Sequence, residues 1–161
     1  MNEILAKWRS LESKPFGTKI FSFLLGRMAR YTGTIGAHVK ELRPGYARVE
    51  MRDRAAVRNH LRSVHAIALM NLAEVSTGLA TIAGLPAETR SILVGLSIEY
   101  VKKARGTLTS EANAPVFEQV TERQDVEVTA AIKDAAGDVV ANATARWLIG
   151  PKTDRPGAAA S

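Results

Sequence analysis

The spacing of apolar positions changes several times along this chain, and each change marks an element. Phe16, Ile20, Phe23, Leu24 and Met28 recur at helical intervals, which predicts a helix over residues 16 to 31. Pro15 separates it from a shorter helix over residues 2 to 13. From Thr34 the period becomes two. Ile35, Ala37 and Val39 lead to a turn at RPGY (43 to 46), after which Ala47, Val49 and Met51 alternate with Arg48, Glu50 and Arg52 as in a β-hairpin. Helical spacing returns over residues 61 to 84, with Leu61, Val64, Ala68, Leu72, Val75, Leu79 and Ile82 on one stripe. Leu69, Ala73, Ala80 and Ala83 widen that stripe until little polar surface is left, so this helix is expected to be buried nearly all round. Beyond Gly84, alternation resumes in Ile92, Val94, Leu96, Ile98 and Tyr100. Three further extended segments are predicted at 106 to 113, 116 to 132 and 138 to 149, the last two joined at Gly137.

This order of elements is α+β: an antiparallel sheet wrapped around a long central helix, with N-terminal helices. The 161 residues make about one domain. They divide into a helical segment (1 to 33), the sheet-and-helix domain (34 to 149) and a tail (150 to 161) rich in Pro, Gly and Ala. The absence of cysteine excludes disulfides, thiolate metal sites and thiol nucleophiles. His38, His60 and His65 are too scattered for a ligand pattern, so no metal is expected.

Charge adds one asymmetry. Residues 1 to 65 carry 13 basic and 5 acidic side chains, whereas the remainder carries 9 and 11. With 6% aromatics and no recognisable module, no nucleic-acid partner is expected despite the net +6. The apolar run IFSFLLG (20 to 26), bounded by Lys19 and Arg27, is too short to cross a bilayer. Stable membrane insertion is therefore not expected, and cytoplasmic residence is. Lys19, Arg27 and Arg30 would suit an anionic membrane, but the helix bearing them is expected to pack on the protein's own core.

Polar residues on a buried helix cost free energy unless paired, so Asn71, Glu74, Thr77 and Thr81 mark where chemistry is to be sought. Asn59, His60 and His65 lie just upstream, where the unpaired amides of a helix start favour an oxyanion. The stretch RNHLRSVHAIALMNLAEVSTGLA (58 to 80) resembles the start of the hotdog helix in PaaI-like acyl-CoA thioesterases. That family places an Asn six residues before a His and an acid nine after it, which here are Asn59, His65 and Glu74. Ala66 and Ile67 stand where the family has two glycines, and Glu74 where aspartate is more usual. SIEYVKKARGTLTSEA (97 to 112) also resembles the family's third strand and turn, and the likeness extends over roughly residues 34 to 149.

The resemblance implies a hotdog fold and hydrolysis of a fatty-acyl or aromatic acyl-CoA by a homodimer or homotetramer, with coenzyme A as part of the substrate and no other cofactor. Asn59 and the Ala66 N–H would polarise the thioester carbonyl, Glu74 would activate water or attack directly, and His65 would shape the turn. Arg62, Lys102, Lys103 and Arg105 would bind the phosphates of coenzyme A. Geometry adds that nine helical residues rise about 13.5 Å and end half a revolution round, so His65 and Glu74 of one chain cannot reach one small group. The site must be shared between two chains. The alternative is a hotdog protein that binds acyl-CoA or fatty-acyl groups without turnover.

Overall fold

The computed structural model describes residues 2 to 152. Two helices, α1 (Glu3–Leu11) and α2 (Gly17–Met28), lead through a short turn of helix, α3 (Arg30–Gly33), into the hairpin of β1 (His38–Arg43) and β2 (Tyr46–Met51). The long helix α4 (Ala66–Ala83) follows, and then β3 (Thr89–Tyr100), β4 (Leu108–Asn113), β5 (Gln124–Lys133) and β6 (Val139–Pro151). The strands form one antiparallel sheet in the order β1-β2-β4-β5-β6-β3. Its inner face wraps α4, the arrangement the resemblance implies.

The core forms because strand periodicity and helix composition agree. Val49, Met51, Leu108, Ala112, Val128 and Ile132 point inward from alternate strand positions, against Leu72, Ala73, Leu79 and Ala80 of α4. α4 is apolar and long enough to cross a membrane, but 72% of it is buried within this domain. Thr77 and Thr81 donate to the carbonyls of Ala73 and Thr77, and Ser76 bonds Ser110 of β4 at 2.7 Å. Those polar positions are thereby satisfied inside the core.

Several boundaries differ from expectation, each for a local reason. β1 begins at His38 rather than Thr34, because the chain first completes α3 and then turns at Gly36 with φ of +64°. Residues 116 to 123 do not join β5, which starts at Gln124. β6 continues to Pro151, into the segment expected to be a tail, while the expected tail beyond Lys152 lies outside the described residues. In β3 the alternation reverses at a bulge between Leu93 and Gly95. Ile92 and Val94 are therefore exposed, while Leu93, Leu96 and Ile98 pack on the core.

The N-terminal helices are fastened to the domain. Asn2 caps α1 and its Nδ2 donates to the carbonyls of Ile82 and Leu85 at the end of α4. Trp8 and Phe21 meet edge to face at 5.1 Å, and a Cβ on Gly17 would stand 1.7 Å from the Leu11 carbonyl oxygen. Ser22 accepts the Val39 N–H, fixing α2 along β1. The face that α2 buries is Gly17, Phe21 and, in part, Leu25. The longer stripe of Phe16, Ile20, Phe23, Leu24 and Met28, expected to pack inward, faces outward instead.

Candidate active site

The predicted helix start at residue 61 is displaced to Ala66 by a tight turn built on Asn59. Its Oδ1 accepts from the Leu61 N–H (2.9 Å), the Ser63 N–H (3.2 Å) and the Ser63 hydroxyl (3.2 Å), and its own N–H donates to the Ser63 carbonyl. Arg62 completes the turn with φ of +56°, a conformation that ends any helix. Leu61 is left exposed, and Val64 forms a bridge to Arg58. Local capture of amides by a side chain has here overridden the apolar period.

α4 then opens with His65 as its N-cap. His65 Nδ1 accepts the Ile67 N–H at 3.1 Å, and its carbonyl accepts from Ala68 and Leu69. With Nδ1 engaged as an acceptor, Nε2 is the ring nitrogen left for other partners. The Ala66 N–H donates to no acceptor among the described residues. Acceptor atoms of Asn59 and His65 are thus turned to internal use. What remains free at the helix start are donors: Asn59 Nδ2, His65 Nε2–H and the Ala66 N–H, at the positive end of the helix.

Glu74 lies two and a half turns further on. It is one of few α4 residues not buried, together with Ala66, Ile67, Met70 and Ile82. Its carboxylate makes no hydrogen bond or ion pair with any described residue. Asn71, one turn before it, is 4% exposed; its Nδ2 donates to the Tyr31 carbonyl. A cleft of about 380 Å³ opens beside His65, lined by Tyr31, Ile35, Val57, Ile67 and Asn71 among others.

The cations are distributed unevenly. The Val64 N–H donates to the Ala104 carbonyl at 2.8 Å, which brings the 102 to 106 loop against the helix start. Lys103 and Arg105 flank Ala104 there, exposed, as is Arg62. Lys102 is committed elsewhere, its Nζ 2.8 Å from Asp134 and 2.6 Å from Asp138, leaving little of its charge for a phosphate.

Two residues that the sequence did not single out organise this corner. Asp53 accepts from Arg58 Nε at 2.6 Å and from the Gly106 N–H at 3.0 Å, tying the end of the hairpin to both loops. The hydrogen bond from Arg58 holds the Asp53 carboxyl below the usual carboxylate range, and the Gly106 N–H adds to this against the cost of burial. Tyr100, at the end of β3, donates its hydroxyl to the Ala66 carbonyl at 3.1 Å, and burial pushes its phenol up. The only sequence signal for either was position: an acid within the basic run 52 to 58, and the last member of an alternating strand. Among the described residues no group of three or more His, Asp or Glu is placed to hold a metal ion.

A six-stranded antiparallel sheet wrapped on a long central helix is the hotdog architecture, and comparison with solved structures agrees. Residues 17 to 149 match the family described as Domain of unknown function (DUF4442), a span that takes in α2 as well as the sheet and central helix. The chain belongs to that family, and solved proteins described as thioesterases or probable thioesterases share its fold. The crystal structure of the genomics target APC5556 is 31% identical, with a TM-score of 0.77 over 92% of this chain and 97% of that one. A Pseudomonas aeruginosa protein of unknown function, described as a probable thioesterase, is 23% identical, with a TM-score of 0.74 over 83% of this chain and 95% of its own. A Haemophilus influenzae thioesterase shares the fold at 12% identity, with a TM-score of 0.73 over 91% of this chain and 99% of that one. No curated protein matches this chain.

Proposed function

We propose that this protein hydrolyses acyl-CoA thioesters at a site shared between two subunits. The observation that carries the reading is the helix start, where the acceptors of Asn59 and His65 are consumed internally and the Ala66 N–H is left free. Unspent donors at a helix start suit an oxygen that gains negative charge, as a thioester carbonyl does when attacked. Alanine at 66 supplies the same N–H that glycine would.

Glu74 of the partner supplies the base. Its carboxylate takes a proton from water as the hydroxyl oxygen attacks the carbonyl carbon; the C–S bond then breaks and the proton passes to the departing thiolate. Sharing follows from the separation along α4 and from the unpaired state of Glu74 in one chain. The edge strand β3, paired only with β6 and exposing Ile92 and Val94, offers the seam. Arg62, Lys103 and Arg105 meet the coenzyme A phosphates. No further cofactor is needed.

A panel of short, medium, long and aromatic acyl-CoAs, followed by released thiol, tests this. At least one member should turn over. Glu74→Gln keeps the volume and removes the base, so kcat should fall at least ~10²-fold with binding retained. Full activity in Glu74→Gln would reject the residue as catalyst. Binding across the panel without turnover would assign the protein to the non-catalytic acyl-CoA binders.

A further inference from the structure

We propose that α2 is a docking surface for anionic phospholipid membranes, lying in the plane of the interface with its apolar stripe among the acyl chains. The stripe runs through Phe16, Ile20, Phe23, Leu24 and Met28, spaced 4, 3, 1 and 4. Phe16 is 72% exposed, Phe23 64% and Met28 72%. Solitary exposed apolar side chains are ordinary, but five at these spacings, from the N-cap of α2 to its last residue, form a patch. The helix already has a separate inward face in Phe21 and Leu25, so the outward stripe is not needed to hold it down.

Charge identifies the occupant. From Ser13 to Lys40 the sequence contains five basic residues, Lys14, Lys19, Arg27, Arg30 and Lys40, and no acidic one. Lys19, Phe23, Arg27 and Arg30 line a cleft of about 770 Å³ between α2 and the chain entering β1, immediately beside the stripe. The Lys19 ammonium stands 5.4 Å from the centre of the Phe16 ring, at the border of the two surfaces. None of these three cations pairs with a carboxylate among the described residues. Apolar side chains flanked by unpaired cations match a lipid surface, with phosphates at headgroup depth and hydrocarbon below. A second copy of the chain fits less well, because a twofold contact through this face would bring Lys19, Arg27 and Arg30 of both copies together, while the one acid bordering the stripe, Glu3 beside Leu24 and Met28, already has Lys7 in the same cleft. At twelve residues α2 is about 18 Å long, suited to lying on a bilayer rather than crossing it.

Sedimentation of the full-length protein with vesicles tests the proposal. Binding is expected to vesicles of phosphatidylcholine with phosphatidylglycerol and not to phosphatidylcholine alone, and to weaken as salt is raised. Phe23→Glu and the double variant Lys19→Glu/Arg27→Glu should each lower partitioning at least about tenfold, with thermal melts and particle mass unchanged. Absence of binding by the wild type overturns the proposal. So does loss in the charge variant alone, which would reduce the effect to surface adsorption. A lower particle mass for Phe23→Glu would assign the stripe to a contact between copies and overturn it as well.

Discussion

At the scale of single residues, the candidate site depends on which atoms are already spent. Asn59, His65 and Glu74 were legible in the sequence as polar residues at fixed intervals around a buried helix. Their free ends were not legible, because the orientations of the Asn59 amide and of the His65 ring follow from contacts with Leu61, Ser63 and Ile67. The displaced helix start has the same origin, since no periodicity reports that one carboxamide will gather three donors. Asp53 is the residue whose charge holds this corner, and its side chain is only 7% exposed. Its folded-state pKa lies below the unfolded value, so the stability it contributes is fully present above the ordinary carboxylate range, begins to fall there, and is lost as pH drops through the lower folded-state value. Asp53→Asn should therefore melt below wild type at pH 7, through loss of the charge-assisted hydrogen bonds from Arg58 and Gly106. The gap should narrow as both are titrated to pH values below the ordinary carboxylate range. A gap unchanged over that range would assign the effect to shape rather than charge.

At the scale of elements, the helix-to-strand changes of period located all six strands and the central helix, while the face each strand presents required the structure. β3 illustrates why. Its five alternating apolar residues read as one buried face, but the bulge at Leu93 to Gly95 shifts the phase midway, turning Ile92 and Val94 outward. A bulge leaves no signature in an alternating pattern beyond the glycine at 95, which here stands beside Arg146. The result is an apolar strand at the edge of the sheet with unpaired backbone groups, which isolated proteins avoid and subunit seams use. If β3 is the seam, Ile92→Lys should weaken dimerisation about a hundredfold, because the twofold repeats the loss on both chains. Light scattering at micromolar concentration should then report monomers with an unaltered circular dichroism spectrum. An unchanged particle mass would exclude this edge as the contact.

At the scale of the whole molecule, the proposed reading joins the donors at the start of α4 in one chain to the Glu74 carboxylate of a second. Asn59 is the better handle on the donor half, provided its turn is kept. Asn59→Ala would remove the acceptor of three hydrogen bonds and disturb the turn, whereas Asn59→Asp retains an oxygen for Leu61 and Ser63 and replaces only the Nδ2 donor. Chains carrying Asn59→Asp and chains carrying Glu74→Gln should each be inactive alone. Mixed after dissociation, half of the dimers are hybrids, and each hybrid contains one site with native Asn59 from one chain and native Glu74 from the other. The mixture should recover roughly a quarter of the wild-type activity. If donor and acid served the same thioester from within a single chain, no hybrid would contain a complete site, and mixing would restore nothing.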